Sequence, residues 1–156
     1  MSYSFNKPLK EELVGRARLE GVDASFKDLA EVCGNIRGLP VAEALQLLEE
    51  AKAMKRPILY RRHNKKLGHR RELGGRKGRY PVKAVSIVIK VLKSAVANAL
   101  SKGQEEGKLI VLHASANKKH NYPRLQPKGR RIRHDYETAR VEVIVGPKEA
   151  VEEKKG

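Results

Sequence analysis

The sequence predicts an α+β fold carrying two basic appendages. Three segments have helical periodicity, three have strand patterning, and two runs of like charge belong to neither. A chain of 156 residues has room for one domain, or for one small domain with extensions. Lys and Arg number 34 against 18 Asp and Glu, a formal net charge of +16, and aromatics make up only 4%. Lys55–Lys83 holds twelve cations and one acid, Glu72. Lys118–Arg133 holds seven cations and no acid. What remains is close to neutral. The expected organisation is a single domain, 1–156. Its globular body covers about 11–54, 80–114 and 139–147, with a basic loop insertion at 55–80, an extended hairpin at 115–138 and a charged tail at 148–156.

Leu13–Leu19 alternates, with Arg16 and Arg18 on one face and Gly15, Ala17 and Leu19 on the other. That is a strand with one wet or RNA-facing side. Asp23–Ile36 has helical spacing. Phe26, Leu29, Cys33 and Ile36 fall near one face, Ser25 stands where an N-cap belongs, and Asp28 makes a capping-box-like pair with it. Gly38 is placed to end this helix. A second helix opens at Pro40, whose missing N–H is not needed at the first helical position, and runs to about Met54. Ala44, Leu45, Leu48 and Ala51 form its apolar stripe. The first basic run follows. Its glycine-rich end, Gly74–Gly78, is expected to be irregular. Pro81 then opens the longest helix, to about Lys102. Val85, Val88, Ile89, Leu92, Val96 and Ala99 line one side, and extra apolar residues at Ile87 and Val91 mark it as the most buried helix.

The last third reads as β-structure. Lys108–Ala114 is a strand. Ala139–Val145 alternates, with Ala139, Val141, Val143 and Val145 on one face and Arg140, Glu142 and Ile144 on the other. Ser115–Thr138 lies between them and is too polar to join a core. A structureless loop of that length does not suit a compact domain. A β-hairpin carried beyond the sheet resolves the difficulty, with its turn at Pro127-Lys128-Gly129: Pro pre-sets φ and Gly accepts a positive φ. Leu109 to Gln126 at ~3.3 Å per residue reaches up to ~55 Å. A free two-stranded ribbon is marginal in water, so this one makes sense when a partner holds both of its sides. The tail, Glu149–Gly156, is expected to be disordered.

Composition closes off several functions. No run approaches the roughly 18 apolar residues of a membrane span. Met1–Lys10 has no apolar stretch of a secretion signal. A soluble, intracellular protein with no membrane partner is therefore expected. One cysteine, Cys33, cannot form an internal disulfide or anchor a Cys-rich zinc site, and its place on an apolar helical face makes it a small core residue. His63, His69, His113, His120 and His134 are scattered without zinc-ligand spacing. His134-Asp135-Tyr136-Glu137 has acid/base residue types, but neighbours on a strand point to opposite faces and do not converge. Gly74–Gly78 lacks the Gly-Lys-Ser/Thr ending of a phosphate-binding loop. No catalytic residue, metal or cofactor is expected.

The charge runs fit a phosphate backbone, since each neutralised phosphate releases counterions. An RRM module, which needs stacking aromatics on its sheet, is ruled out because the only Phe residues, Phe5 and Phe26, lie outside the central strands. Gly75-Arg76-Lys77-Gly78 matches the Gly-x-x-Gly clamp of KH domains, which leaves a free-standing RNA-binding or regulatory protein as the alternative. The candidate RNA contacts begin with Arg16 and Arg18 on the first strand. In the loop they are Arg61, Arg62, Lys65, Lys66, Arg70, Arg71, Arg76, Lys77, Arg79 and Lys83. In the hairpin they are Lys118, Lys119, Arg124, Lys128, Arg130, Arg131 and Arg133.

Three stretches resemble the large-ribosomal-subunit protein twenty-two family of archaeal and eukaryotic type. They are RARLEGVDASFKDLAEVCGNIRGLPVAEALQLLE from Arg16, RYPVKAVSIVIKVLKSAVANA from Arg79 and HDYETARVEVIV from His134. HNKKLGHRRELGGRKGRYP resembles the basic insertion that separates this type from the bacterial form. The resemblance implies three helices packed on a three-stranded antiparallel sheet, with a long protruding hairpin. It implies a cytoplasmic protein of the large subunit whose partners are large-subunit rRNA, neighbouring ribosomal proteins and the nascent polypeptide. The body would sit near the exit of the polypeptide tunnel and the hairpin tip, Gln126, Pro127, Lys128, Gly129 and Arg130, would line it. The family's tip commonly carries an Arg-Ala pair where Gln126-Pro127 stands here.

Overall fold

The computed structural model describes residues 3–5 and 8–150. Its elements in chain order are β1 (Gly15–Val22), α1 (Phe26–Ile36), α2 (Val41–Lys52), β2 (Ile58–Leu59), β3 (Gly78–Arg79), α3 (Val82–Leu100), β4 (Ile110–Tyr122) and β5 (Tyr136–Gly146). The main sheet is antiparallel in the order β1-β5-β4, so the last strand of the sequence is the central one. β2 and β3 form a separate two-stranded antiparallel pair, Ile58 opposite Arg79 and Leu59 opposite Gly78. The expected α+β architecture, with three helices and a three-stranded sheet, is the one observed.

The helices cover one face of the sheet. α3 packs on β1 and β5, α1 on β4, and α2 on α3. α3 is the most buried helix, with Ala84, Val85, Val88, Ile89, Val91, Leu92, Ala95, Val96 and Ala99 in the core. Its approach to β1 depends on Gly15. A Cβ there would lie 2.2 Å from the Ala95 carbonyl oxygen and 2.6 Å from the Ala99 nitrogen.

The other face of β5 is covered as well. Glu142 and Ile144 are buried. The central strand has a neighbour on each side, and the chain ends close over this face. Val14, Ile144 and Ala150 form a second apolar cluster, with Tyr3, Phe5, Leu9, Leu13 and Leu112 packed on it. The expected disordered tail is thus folded at its start: Lys148–Ala150 is a 3₁₀ turn, and the Ala150 carbonyl accepts the Lys10 N–H at 3.1 Å. Residues 151–156 lie outside the described residues. The buried Glu142 carboxylate is compensated by Arg140 Nε at 2.9 Å, by the Ser4 N–H at 2.9 Å and by Arg18 Nε at 3.8 Å. A buried charge needs such partners.

Element ends shift for local reasons. β1 starts at Gly15, after a 3₁₀ turn over Glu11–Leu13. Its pairing slips between Leu19 and Val22, where Gly21 takes φ +70°; Val22 beyond the slip is buried, while Leu19, still in register opposite Val141, is 42% exposed. Ser25 caps α1 by accepting the Asp28 N–H at 3.5 Å. The capping box is not reciprocated, because the Asp28 carboxylate accepts the Tyr60 hydroxyl at 2.7 Å. Pro40 and Pro81 are the N-caps of α2 and α3 and not their first helical residues, and the helices end at Lys52 and Leu100.

Candidate nucleic-acid interface

The first basic run is folded, which a chain of like charges does not do unaided. Its anchor is Glu31, in the middle of α1 and 4% exposed. The Glu31 carboxylate accepts the backbone N–H groups of Arg61 (2.9 Å), Arg62 (2.8 Å) and His63 (2.7 Å). One turn on, Asn35 Nδ2 donates to the Leu59 carbonyl at 2.8 Å. One turn back, Asp28 holds Tyr60. Residues 28, 31 and 35 share a helix face, so α1 turns a polar stripe toward the loop and an apolar one toward the sheet. Tyr60 and Ile58 are buried in the main core. Burial, together with the bond to Asp28, pushes the Tyr60 phenol well above its ordinary range.

The rest of the loop bonds to itself. A 3₁₀ turn spans Arg71–Leu73, and Arg70 Nε donates to the Gly78 carbonyl at 3.2 Å while its guanidinium lies 5.4 Å from the Tyr80 ring centroid. The expectation of irregular structure over Gly74–Gly78 fails at Gly78, which opens β3. A Cβ at Gly78 would meet Leu73 Cδ1 at 2.5 Å and the Ile58 carbonyl oxygen at 2.7 Å. Gly75–Gly78 is therefore not the free loop that a KH-like clamp requires. Fixing the backbone through α1 leaves the side chains outside. Arg61, Arg62, Lys65, Lys66, Arg71, Arg76 and Arg79 are exposed, Arg76 with its Nε on the Leu73 carbonyl at 3.2 Å. Lys77 is half-buried. None of these eight forms an ion pair among the described residues. Lys27, Arg62, His63, Lys65 and Arg79 line one cleft with Tyr60, beside the first turn of α1.

The second basic run is the expected hairpin. β4 and β5 pair from Ile110 opposite Gly146 out to Tyr122 opposite Tyr136, with two register shifts. Beyond them the same register continues through a Leu125–Arg133 bridge, His134 N–H to the Arg124 carbonyl at 2.7 Å, and Gln126 N–H to the Ile132 carbonyl at 2.9 Å. The turn is centred on Lys128-Gly129, each at φ +69°, as in the primed turns that match strand twist. The expected turn had only Gly129 at positive φ.

Charge is distributed unevenly along this ribbon. Near its foot Lys118 pairs with Glu137 and Lys119 with Glu20 of β1. Further out Arg133 Nε donates to Asp135 at 2.6 Å, which holds the Asp135 carboxyl below its usual range. Lys128, Arg130 and Arg131, around the tip, are exposed with no acid partner among the described residues. Arg124 lies over the Tyr136 ring, 4.9 Å from its centroid.

Three further candidates are engaged within the protein. Arg16 pairs with Glu11 at 3.1 Å and lies 5.6 Å from the Tyr3 ring centroid. Arg18 is held by Glu20 and Glu142. Lys83 binds Asp23 at 2.9 Å and, with the Tyr136 hydroxyl, lowers the Asp23 carboxyl. Sequence reasoning missed Glu31, Asp28 and Asn35, although their i, i+3, i+7 spacing beside a basic run was the signal. Cys33 is buried as expected, its thiol pushed up to about 12 by burial. Among the described residues no cluster of three or more His, Cys, Asp or Glu could hold a metal ion, and no helix is long and apolar enough to cross a membrane.

The model of the family described as ribosomal protein L22p/L17e matches residues 17–146. Similar proteins include the large ribosomal subunit protein uL22 of Methanocaldococcus jannaschii, 42% identical over 86% of this chain and 88% of the relative. Those of Archaeoglobus fulgidus and Staphylothermus marinus are 40% and 36% identical, over 82% and 92% of this chain and 83% and 94% of their own.

Proposed function

The chain belongs to the ribosomal protein L22p/L17e family, and on that premise we propose that it is a structural constituent of the cytoplasmic large ribosomal subunit. It binds rRNA through the anchored basic loop and the β4–β5 ribbon and contacts neighbouring ribosomal proteins. The observation that carries this reading is the placement of the unpaired cations. They gather on the loop and around the ribbon tip, whereas those at the ribbon foot are matched by acids. An unmatched set of cations held by a folded backbone is pre-organised for phosphate, so little ordering is left to do on binding.

The loop cleft beside α1 and the tip would each take backbone phosphates, which fixes register without reading sequence. Specificity would come from RNA shape, because the A-form major groove is too narrow for side chains. The finer part of the proposal puts the tip, Gln126–Arg130, beside the path of the nascent chain in the exit tunnel, where Lys128 and Arg130 would act electrostatically.

The test is sedimentation of the native protein with ribosomal subunits in high salt, with quantitation by mass spectrometry. Contacts limited to surface phosphates lose most of their affinity there, while a ribbon threaded through RNA stays. Stoichiometric retention on the large subunit is expected. Release into the soluble fraction would overturn the proposal.

A further inference from the structure

Ribbon residues project alternately to two faces, and one of those faces is unlike the rest of the molecule. His120, Tyr122 and Arg124 lie at every second position of the outgoing strand. The register sets Tyr136 directly opposite Tyr122. The Tyr122 and Tyr136 rings are 5.9 Å apart and tilted by 31°, and His120 lies 6.1 Å from Tyr122. Arg124 covers the other part of Tyr136 at 4.9 Å. Four planar groups thus form one continuous strip. Tyr122 is nevertheless 49% exposed, while the Tyr136 hydroxyl is tied to Asp23 of the body. In a chain with only seven Phe and Tyr residues, spending two in a cross-strand pair on a solvent-facing ribbon calls for an occupant.

We infer that this strip is a stacking platform for unpaired RNA bases, with Tyr122 as the exposed face and Tyr136 and Arg124 as its backing. The inference rests on the reading of the ribbon as RNA-bound. An unpaired base has an apolar π-face that an aromatic ring covers and a phosphate that a neighbouring cation neutralises. The strip offers both, because Arg124 borders it and Lys128, Arg130 and Arg131 lie further along the same ribbon. A duplex hides its base faces and gains nothing from Tyr122. The platform therefore adds a preference for single-stranded positions to a ribbon whose cations alone would have none.

The experiment uses the full-length protein and two probes: a single-stranded RNA oligonucleotide carrying 2-aminopurine and a duplex RNA of equal length. Stacking on tyrosine should quench the 2-aminopurine emission. Tyr122→Ala is expected to abolish the quench and weaken single-strand binding by roughly tenfold or more, while leaving duplex binding unchanged. Tyr122→Phe, which keeps the ring, should retain both the quench and the affinity. Thermal melting of both variants controls for folding, and Tyr122 lies outside the core. If Tyr122→Ala binds and quenches as the unsubstituted protein does, the platform is overturned. Binding of both probes without any quench also overturns it, yet leaves rRNA binding standing. Failure of the unsubstituted protein to bind either probe would remove the RNA-bound reading together with the platform.

Discussion

The loop and the ribbon are both strongly basic and are held by opposite means. The loop owes its shape to the body: a buried carboxylate, an amide and a phenol–carboxylate bond tie its backbone to α1. The ribbon owes its shape to itself, through cross-strand hydrogen bonds and a primed turn, and meets the body along its inner half through Lys119 on Glu20 and the Tyr136 hydroxyl on Asp23. The difference shows two ways of keeping like charges together. A body can bond the backbone and leave cations free along the whole segment, as around Arg61–Lys66. A ribbon must tolerate repulsion across a gap of about 5 Å between its strands, and here acids at Glu137, Glu20 and Asp135 relieve it at Lys118, Lys119 and Arg133 but not around the tip.

Substitutions that break one region and spare the other test this contrast. The largest effect is expected for Glu31→Ala. It leaves three backbone donors without their charged acceptor and should cost about 3–5 kcal/mol. Hydrogen exchange should accelerate at Arg61, Arg62 and His63 but not at the ribbon amides. Equal acceleration in both regions would dissolve the distinction.

Next comes Gly78→Val, whose side chain would overlap Leu73 and the Ile58 carbonyl. Overpacking there should cost about 1–3 kcal/mol and open the β2–β3 pair, seen as loss of protection at the Tyr60 amide, which donates to the Lys77 carbonyl.

Gly129→Val strains a residue at φ +69° by about 1–2 kcal/mol. Because the tip lies outside the core, the melting temperature should hold while the Gln126 and His134 amides exchange faster. A fall in the melting temperature comparable to that of Glu31→Ala would show that the tip folds with the body.

The smallest effect is a pH slope from His113, at the foot of the ribbon. Its ring is buried, 5.2 Å from Phe5, with Nε2 3.1 Å from Ser115 Oγ. Burial lowers its pKa below 6.5, helped by Arg37. The unfolded chain then binds the proton more readily than the folded one. Stability is full above about pH 6.5 and declines as pH falls from there through the lower folded value. His113→Gln should flatten the slope of chemical denaturation midpoints measured across that interval.

How much of this was legible depends on the range over which each signal acts. Apolar spacing located all three helices and all three sheet strands to within a few residues. The polar stretch between the last two strands disclosed the hairpin. The errors fell where a residue's surroundings come from elsewhere. Alternation put Glu142 and Ile144 on the face away from the valines, and only the chain termini that cover it bury them. Leu19 shares the face of buried Ala17, yet it is 42% exposed, at the last regular pair before the strand slips. Gly78 read as loop because glycine lowers strand propensity, whereas contact with Ile58 requires it.

The candidate interface divides in the same way. Net charge and its clustering, which are properties of consecutive residues, were enough to indicate a polyanionic partner. Which cations remain available was not readable, since Lys119 meets Glu20, Lys83 meets Asp23 and Arg18 meets Glu142 across long stretches of chain. Sequence by itself determined the periodicities, the charge runs and the class of partner, because spacing and charge density are local quantities. Only the tertiary structure decided that the last strand lies in the middle of the sheet, that Glu31 organises the loop, and that unmatched charge gathers on the loop and around the tip. Each of those depends on which distant segments the packing of the core brings within a hydrogen bond's reach.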